Sequence, residues 1–160
     1  MTQGHDSRGI ANIFVQIARK VEHPIHPLTI MSLVKYVYFA HGWTLGYTGK
    51  PLICHKVQAW KFGPVIPEVY QAFRGKGFIS KEAINPDTKK PYTAVPNEQE
   101  NNIIKGVFDE YSKLGAFELS YTTHHPDSPW SKCGGKLYST ISNYDIETYY
   151  QSAIKRINHG

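Results

Sequence analysis

The segment AWKFGPVIPEVYQAF, residues 59–73, carries the strongest fold signal in the chain. A helix is predicted from Pro67, because proline suits the first helical turn, where its missing N–H would have no partner inside the helix. Apolar side chains recur every four residues, at Val65, Val69 and Phe73, so one face of this helix is expected to be buried. The segment therefore predicts a stiff, aromatic-rich turn that leads into a short helix.

Two helices and an extended stretch are predicted before this segment. The first helix covers residues 7–20, where apolar residues recur at helical spacing. The sequence HPIHP at 23–27 ends it, since two prolines this close cannot lie inside a helix. Residues 28–47 are apolar nearly all round, which predicts a central buried helix. Residues 52–60 alternate loosely and predict a short strand or an extended connection, and Gly63-Pro64 predicts a turn.

The second half of the chain contains three further predicted helices. Residues 75–96 are rich in Gly, Pro, Lys and Asn and predict a long, exposed and mobile loop. A capping box predicts the start of a helix over 97–115, and a short helix follows over 116–123. Ser128-Pro129-Trp130 has the pattern of an N-cap, a first helical residue and an apolar anchor. The last helix is expected to begin at Ser142.

These elements predict a mainly α fold. We expect a single compact helical domain of about six helices, with a short extended or β segment between the second and third. Hydrophobic residues make up 41% of the 160 residues, and 13% are aromatic, which is enough to bury one core. Since no repeat and no long linker divides the chain, residues 1–160 are expected to form one domain.

Composition limits the location and the partners. Charged or polar residues interrupt every apolar run, and the N-terminus lacks the pattern of a secretory signal, so we expect a soluble cytoplasmic protein. Cys54 and Cys133 lie far apart and fit two reduced thiols. The formal charge is +5, but the basic residues are scattered. This pattern favours an ordinary surface or an acidic protein partner over nucleic acid.

No arrangement typical of catalysis or metal binding emerges from the sequence. Among the eight histidines, His124 and His125 are adjacent, and adjacent side chains diverge. The chain also lacks the patterns GxSxG, GxxxxGK(S/T) and GxGxxG. We therefore expect no catalytic set, no metal and no cofactor. Two alternatives stay open: a small enzyme that uses His124 with Glu68 or Lys61 as acid and base, and a DNA-binding regulator that exploits the positive charge.

Two segments have a composition that suits recognition of a partner. In residues 59–73, the side chains of Lys61, Glu68 and Tyr70 are candidates for contact, because a stiff frame loses little entropy on binding. In residues 119–130, His124 and Trp130 are candidates to line a groove shared with the first segment. The alternative for each segment is structural, as core packing in the first and as a capped helix junction in the second.

At these places the sequence resembles the Panacea-domain or SocA-like antitoxins, also described as phage-associated GepA-type proteins. The motifs that carry the resemblance are YFAHGW at 38–43, TGKPL at 48–52, AWKFGPVIPEVYQAF at 59–73, LSYTTH at 119–124 and PW at 129–130. Their order and approximate spacing match the family.

The matched motifs lie within residues 28–130. The family's first motif often reads LQKLLYYAHGW, and this chain keeps Leu33, Lys35 and Tyr38 of it. The resemblance implies an antitoxin that is not an enzyme and that binds and neutralises a toxin encoded by a neighbouring gene. It also implies a possible adaptor role that delivers the toxin to a Clp-type protease.

Overall fold

Helix α2, Ile30–Thr48, is the central element of the fold, and its residues 33–45 are buried except for Trp43. The Thr29 side chain caps its start by accepting a hydrogen bond from the Ser32 amide, and Gly49 ends it in the left-handed conformation, with φ of 71°. The computed structural model describes residues 3–159. The predicted central buried helix is confirmed.

Five other helices pack around α2 or extend its core. Their bounds are α1 Ser7–Arg19, α3 Pro67–Phe73, α4 Glu98–Tyr111, α5 Ala116–Thr123 and α6 Asn143–His159. Helices α1, α4 and α6 pack directly along α2, whereas α3 also contacts α1. The mainly α fold with six helices, predicted from apolar periodicity and helix caps, is confirmed within residues 3–159.

Helix α6 approaches α2 more closely than ordinary side chains permit. A Cβ added to Gly42 would overlap the ring of Tyr150, and one added to Gly46 would lie 2.8 Å from the Tyr150 Cβ. Tyr150 is only 4% exposed. The two glycines of α2 therefore form the surface on which Tyr150 packs.

A small antiparallel sheet follows α2, in the order β2-β1-β3, with β1 Val57–Trp60, β2 Gly63–Val65 and β3 Thr140–Ile141. Trp60 pairs with Gly63, so the turn consists of Lys61 and Phe62. The prediction of a turn at Gly63-Pro64 was wrong, because these residues lie inside β2. Proline is tolerated there since β2 is an edge strand, where a missing N–H costs no ladder hydrogen bond.

Other boundaries differ from prediction for local reasons. Helix α4 ends at Tyr111 rather than at Gly115, and a turn links it to α5. Ser128 does cap a short turn, since its Oγ accepts from the Ser131 amide at 3.2 Å, but the turn is a single 3₁₀ helix, Ser131–Cys133. Strand β3 was not predicted, because two residues are too few to show an alternating pattern.

The segment 75–96 is fixed to the core, contrary to the expectation of an exposed, mobile loop throughout. Ile79 and Ala83 are buried. The buried side chain of Asn12 donates to the carbonyls of Ala83 and Tyr92, at 3.0 and 2.9 Å, and accepts from the Ala83 amide at 2.8 Å. The side-chain amide of Asn12 thus anchors the segment, although it is about seventy positions away in the chain. No local pattern in the sequence indicates this contact.

His41, one of the eight histidines, holds parts of the fold together. It is fully buried, and its Nδ1 lies 3.4 Å from the Ile53 amide while its Nε2 lies 3.0 Å from Asn143 Oδ1. The neutral ring can accept from the first and donate to the second. Burial lowers the pKa of His41 to about 4, so the ring is neutral at ordinary pH and joins α2 to the start of α6.

No helix within residues 3–159 is long and apolar enough to cross a membrane. The assignment of all 160 residues to one domain stays a prediction.

Candidate functional site

The two segments singled out in the sequence meet in the structure. The indole Nε1 of Trp130 donates to the backbone carbonyl of Trp60 at 2.7 Å. The rings of His124 and Trp130 lie 4.0 Å apart, centroid to centroid. Residues separated by about seventy positions thus form one structural unit, as the prediction of a shared groove for His124 and Trp130 requires.

The end of α5 is held against the β1–β2 hairpin by polar contacts. Ser120 Oγ donates to the Phe62 carbonyl at 3.2 Å. His124 Nδ1 lies within hydrogen-bond distance of the Ser120 carbonyl, and its Nε2 lies 3.4 Å from the Lys61 carbonyl, so a neutral ring donates to one of these two carbonyls and only contacts the other. The His124 ring is therefore occupied by backbone contacts, which is the capping role that the sequence left open. These contacts fix the position of the hairpin turn, Lys61 and Phe62.

Tyr70 belongs to the same unit. Its ring packs edge-on against Trp60 at 4.9 Å, and Tyr138 packs against Trp60 at 5.6 Å. We call the set Trp60, Tyr70, His124 and Trp130 the aromatic seam. The seam is half-buried and rigid, because each ring contacts another ring or a backbone carbonyl.

Glu68 lies in a different cleft, beside Arg8 and Tyr92. Arg8 pairs with Asp6 at 2.8 Å and lies over the Tyr92 ring at 4.3 Å, so its charge is already engaged. The structure thus brings Tyr70, His124 and Trp130 together with the backbone of Lys61, and it leaves Glu68 apart from them. An acid–base pair of His124 and Glu68 is not assembled by this arrangement.

Exposed aromatic side chains surround the seam. Phe62, Phe117, Tyr121 and Tyr138 are 57%, 83%, 63% and 65% exposed. Phe62 and Phe117 line one cavity, Tyr138 packs against Trp60 of the seam, and Tyr121 lies on α5 close to His124 in the chain. Several large rings left in water near one another are typical of an interaction surface. We call these four residues the aromatic surface. The ammonium of Lys61, which is exposed, lies 5.5 Å from the centre of the Phe62 ring.

Sequence reasoning did not select Lys35. Lys35 is 2% exposed as a residue, and within residues 3–159 no ion pair includes it. Its ammonium keeps some contact with solvent. Burial lowers the pKa of Lys35 to about 8. The signal was available in the sequence, since Lys35 is the one lysine or arginine within the apolar run 28–47, which also lacks acidic residues.

Lys35 contributes to the wall of a cavity of about 370 Å³ that adjoins the hairpin. Its other walls are mainly apolar and come from Met31, Phe62, Phe117 and Leu119. Over the described part of the chain, no three His, Cys, Asp or Glu side chains lie close enough together to hold a metal ion.

Replacing Trp130 by phenylalanine is expected to lower the free energy of unfolding by about 1–3 kcal/mol, because the carbonyl of Trp60 loses the hydrogen bond from the indole. Urea denaturation followed by circular dichroism measures this change. Since phenylalanine keeps an apolar ring at the site, the loss reports mainly the hydrogen bond. An unchanged midpoint would show that water replaces the indole donor and that the seam does not depend on it.

Comparison with known proteins identifies the family. Residues 33–131 match the family model described as "Antitoxin SocA-like, Panacea domain". A curated relative, Antitoxin SocA of Caulobacter vibrioides (strain NA1000 / CB15N), is 34% identical over 134 residues, which cover 80% of this chain and 70% of the relative. No solved structure matches the chain at a significant level. The matched region contains most of α2, the hairpin and the aromatic seam, and the chain belongs to the SocA-like, Panacea-domain antitoxin family.

Proposed function

We propose that the protein binds and neutralises a toxin encoded by a neighbouring gene, and that the aromatic surface and Lys61 make the contact. Membership of an antitoxin family supports the function. The observation that supports the location is the exposure of Phe62, Phe117, Tyr121 and Tyr138 around a rigid seam. Rings that are already ordered bind with little loss of conformational entropy.

Within this proposal the predicted partner-binding residues have different roles. Lys61 contacts the toxin directly, because its side chain is exposed at the hairpin turn. Tyr70, His124 and Trp130 support the surface from below, since their rings and hydrogen bonds fix the hairpin against α5. Glu68 lies in a separate cleft, so its predicted contact requires a partner that extends past α3.

Co-expression tests the function. The neighbouring gene alone is expected to arrest growth, and growth is expected to resume when the antitoxin is present. Toxin abundance in the same cells separates two modes of neutralisation, because delivery to a Clp-type protease lowers the amount of toxin and direct blockade does not. A neighbour that is harmless alone, or that stays toxic in the presence of this protein, would refute the proposal.

The variant Phe62→Ala tests the surface. Truncating an exposed aromatic anchor is expected to weaken toxin binding at least tenfold, in the range of interface hot spots, and to leave thermal stability unchanged. Phe78→Ala is the matched control, because Phe78 is 72% exposed and lies on a different cavity, beside Leu28 and Ile79. Titration calorimetry with purified toxin measures both variants. If both substitutions weaken toxin binding equally, or if neither weakens it, the assignment of this surface is wrong.

A further inference from the structure

The cavity beside Lys35 is a second recognition element, contiguous with the hairpin. We propose that it receives the carboxylate of an aspartate or glutamate side chain from the toxin, with the ammonium of Lys35 as its counter-ion. This inference rests on the proposed function, since it identifies a chemical group on the same partner. It assigns to the toxin one acidic residue that becomes buried in the complex.

Within residues 3–159, no carboxylate serves Lys35 as a counter-ion. A buried charge is costly unless it is paired, and fully buried lysines without partners are rare. Lys35 is 2% exposed, yet none of the ion pairs within residues 3–159 includes it. The side chain is buried, and the ammonium at its end keeps some contact with solvent, so a carboxylate can reach it. A lysine that served only packing would be better replaced by a methionine of similar length.

The ammonium of Lys35 lies close to the hairpin. A Cβ built on Gly63 would lie 3.6 Å from Lys35 Nζ and 2.8 Å from Thr123 Oγ1. The side chain therefore ends between α2, β2 and α5. Gly63 has no side chain to cover the ammonium from the hairpin side, and the cavity lies next to the hairpin on the side of Phe62 and Ser120.

The electrostatic environment of the cavity favours an anion. Met31 and Ser32 belong to the first turn of α2, and Ala116 and Phe117 belong to the first turn of α5. The N-terminal ends of two helices thus meet at one cavity, and each carries a partial positive charge. Glu118 reduces this effect on α5, but its carboxylate is exposed and faces the Gly115 amide at 3.4 Å.

The size and walls of the cavity favour a side chain of the partner. A volume of about 370 Å³ admits one or two residues, and Phe62 and Phe117 provide apolar surface for the methylene groups of the acidic residue and for its neighbours. Phe62 belongs both to this cavity and to the aromatic surface, so one partner can contact both. The net charge of +5 also favours an acidic partner.

Binding of purified toxin to Lys35→Met tests the inference. We expect an affinity at least thirtyfold weaker, because the toxin carboxylate is then buried without a counter-ion. The Tm of the free variant should not fall. Lys105→Met, on the exposed face of α4, is the matched control and should bind as wild type does. Wild-type affinity of Lys35→Met would overturn the inference.

The acidic residue itself is found by replacing each Asp and Glu of the toxin by Asn or Gln. One such change should weaken binding to the wild-type antitoxin but restore part of the affinity that Lys35→Met has lost, since it removes the carboxylate that is left without a counter-ion. If no acidic side chain of the toxin shows this coupling to Lys35, but blocking the toxin's C-terminal carboxylate shows it, then Lys35 pairs with the chain terminus. The proposal of an acidic side chain is then wrong.

A measurement without toxin separates this inference from the proposed function. We expect 3-phenylpropionate at millimolar concentration to raise the Tm of the wild-type protein, whereas the uncharged 3-phenylpropionamide should not. Lys35→Met should abolish the difference between the two compounds. If the neighbouring gene product proves not to be a toxin, a charge-selective shift still supports the cavity as a carboxylate site. Equal shifts with both compounds, or with both proteins, overturn it.

Discussion

Replacing Lys35 by methionine is expected to stabilise the free protein by about 3 kcal/mol at pH 7. The pKa of Lys35 is lowered from 10.5 to about 8 by burial alone, and each unit of this difference corresponds to about 1.4 kcal/mol. Methionine has a similar length and no charge to desolvate. The expected rise in Tm is about 5–10 °C for a chain of this size.

The lowered pKa of Lys35 also predicts how the stability of the wild-type protein depends on pH. Between pH 8 and 10.5 the unfolded chain binds a proton at Lys35 that the folded chain has released, so the stability of the wild-type protein rises with pH in this window. The advantage of Lys35→Met should therefore shrink above pH 8. Buried tyrosines have the opposite effect on stability. Burial raises the pKa of Tyr36 and Tyr111. The stability that their protonated forms contribute is therefore present below about pH 10 and is lost above it.

Urea unfolding of both proteins from pH 7 to 9.5 measures the difference directly, and the tyrosine contribution cancels in it. A variant that is less stable than wild type at pH 7 would show that Lys35 has a stabilising partner in the folded state. A difference that does not change with pH would show that packing, and not charge, is responsible.

A more stable variant that no longer binds the toxin would be the expected signature of a functional residue. Binding sites keep charges that are unfavourable in the free protein, since their partner groups arrive only with the ligand. Lys35 is a candidate for this trade-off. The two measurements on Lys35→Met, stability alone and affinity for the toxin, therefore test separate parts of the same argument.

Replacing Gly42 by alanine is expected to lower the free energy of unfolding by about 2 kcal/mol or more. Helix propensity alone would predict the opposite, a gain of up to about 1 kcal/mol. The added methyl group would overlap the ring of Tyr150. This ring cannot move freely, because it is buried and packs edge-on against Tyr38 at 6.4 Å and Trp43 at 4.9 Å.

Gly106→Ala provides the matched control for this prediction. Gly106 lies inside helix α4, and a Cβ added there would meet no atom within 4 Å. That variant should gain the helix propensity and become slightly more stable. Chemical denaturation of the two variants beside wild type gives the comparison. If both glycine substitutions stabilise the protein, the close approach of α6 to α2 is not as tight as the structure shows.

Much of the architecture is determined by local sequence. The Asn97 capping box starts α4 and Pro67 starts α3, and each start was predicted from a few neighbouring residues. These signals can be read from the sequence because caps and apolar periodicity act over one or two helical turns. The motifs also indicated the family, because their order along the chain is preserved.

Only the tertiary structure decided which residues form the site. Gly42 looks unfavourable in a helix until Tyr150, more than one hundred positions away, is seen against it. Glu68 and His124 carry the residue types of an acid–base pair, yet Glu68 lies in a cleft with Arg8 and Tyr92, whereas His124 contacts the hairpin. Lys35 appears as a single charge in an apolar helix, and only the meeting of α2, the hairpin and α5 shows that its side chain is buried with no ion pair among residues 3–159. Burial, close approach and pairing depend on atoms that are distant in the chain, so no local pattern can specify them.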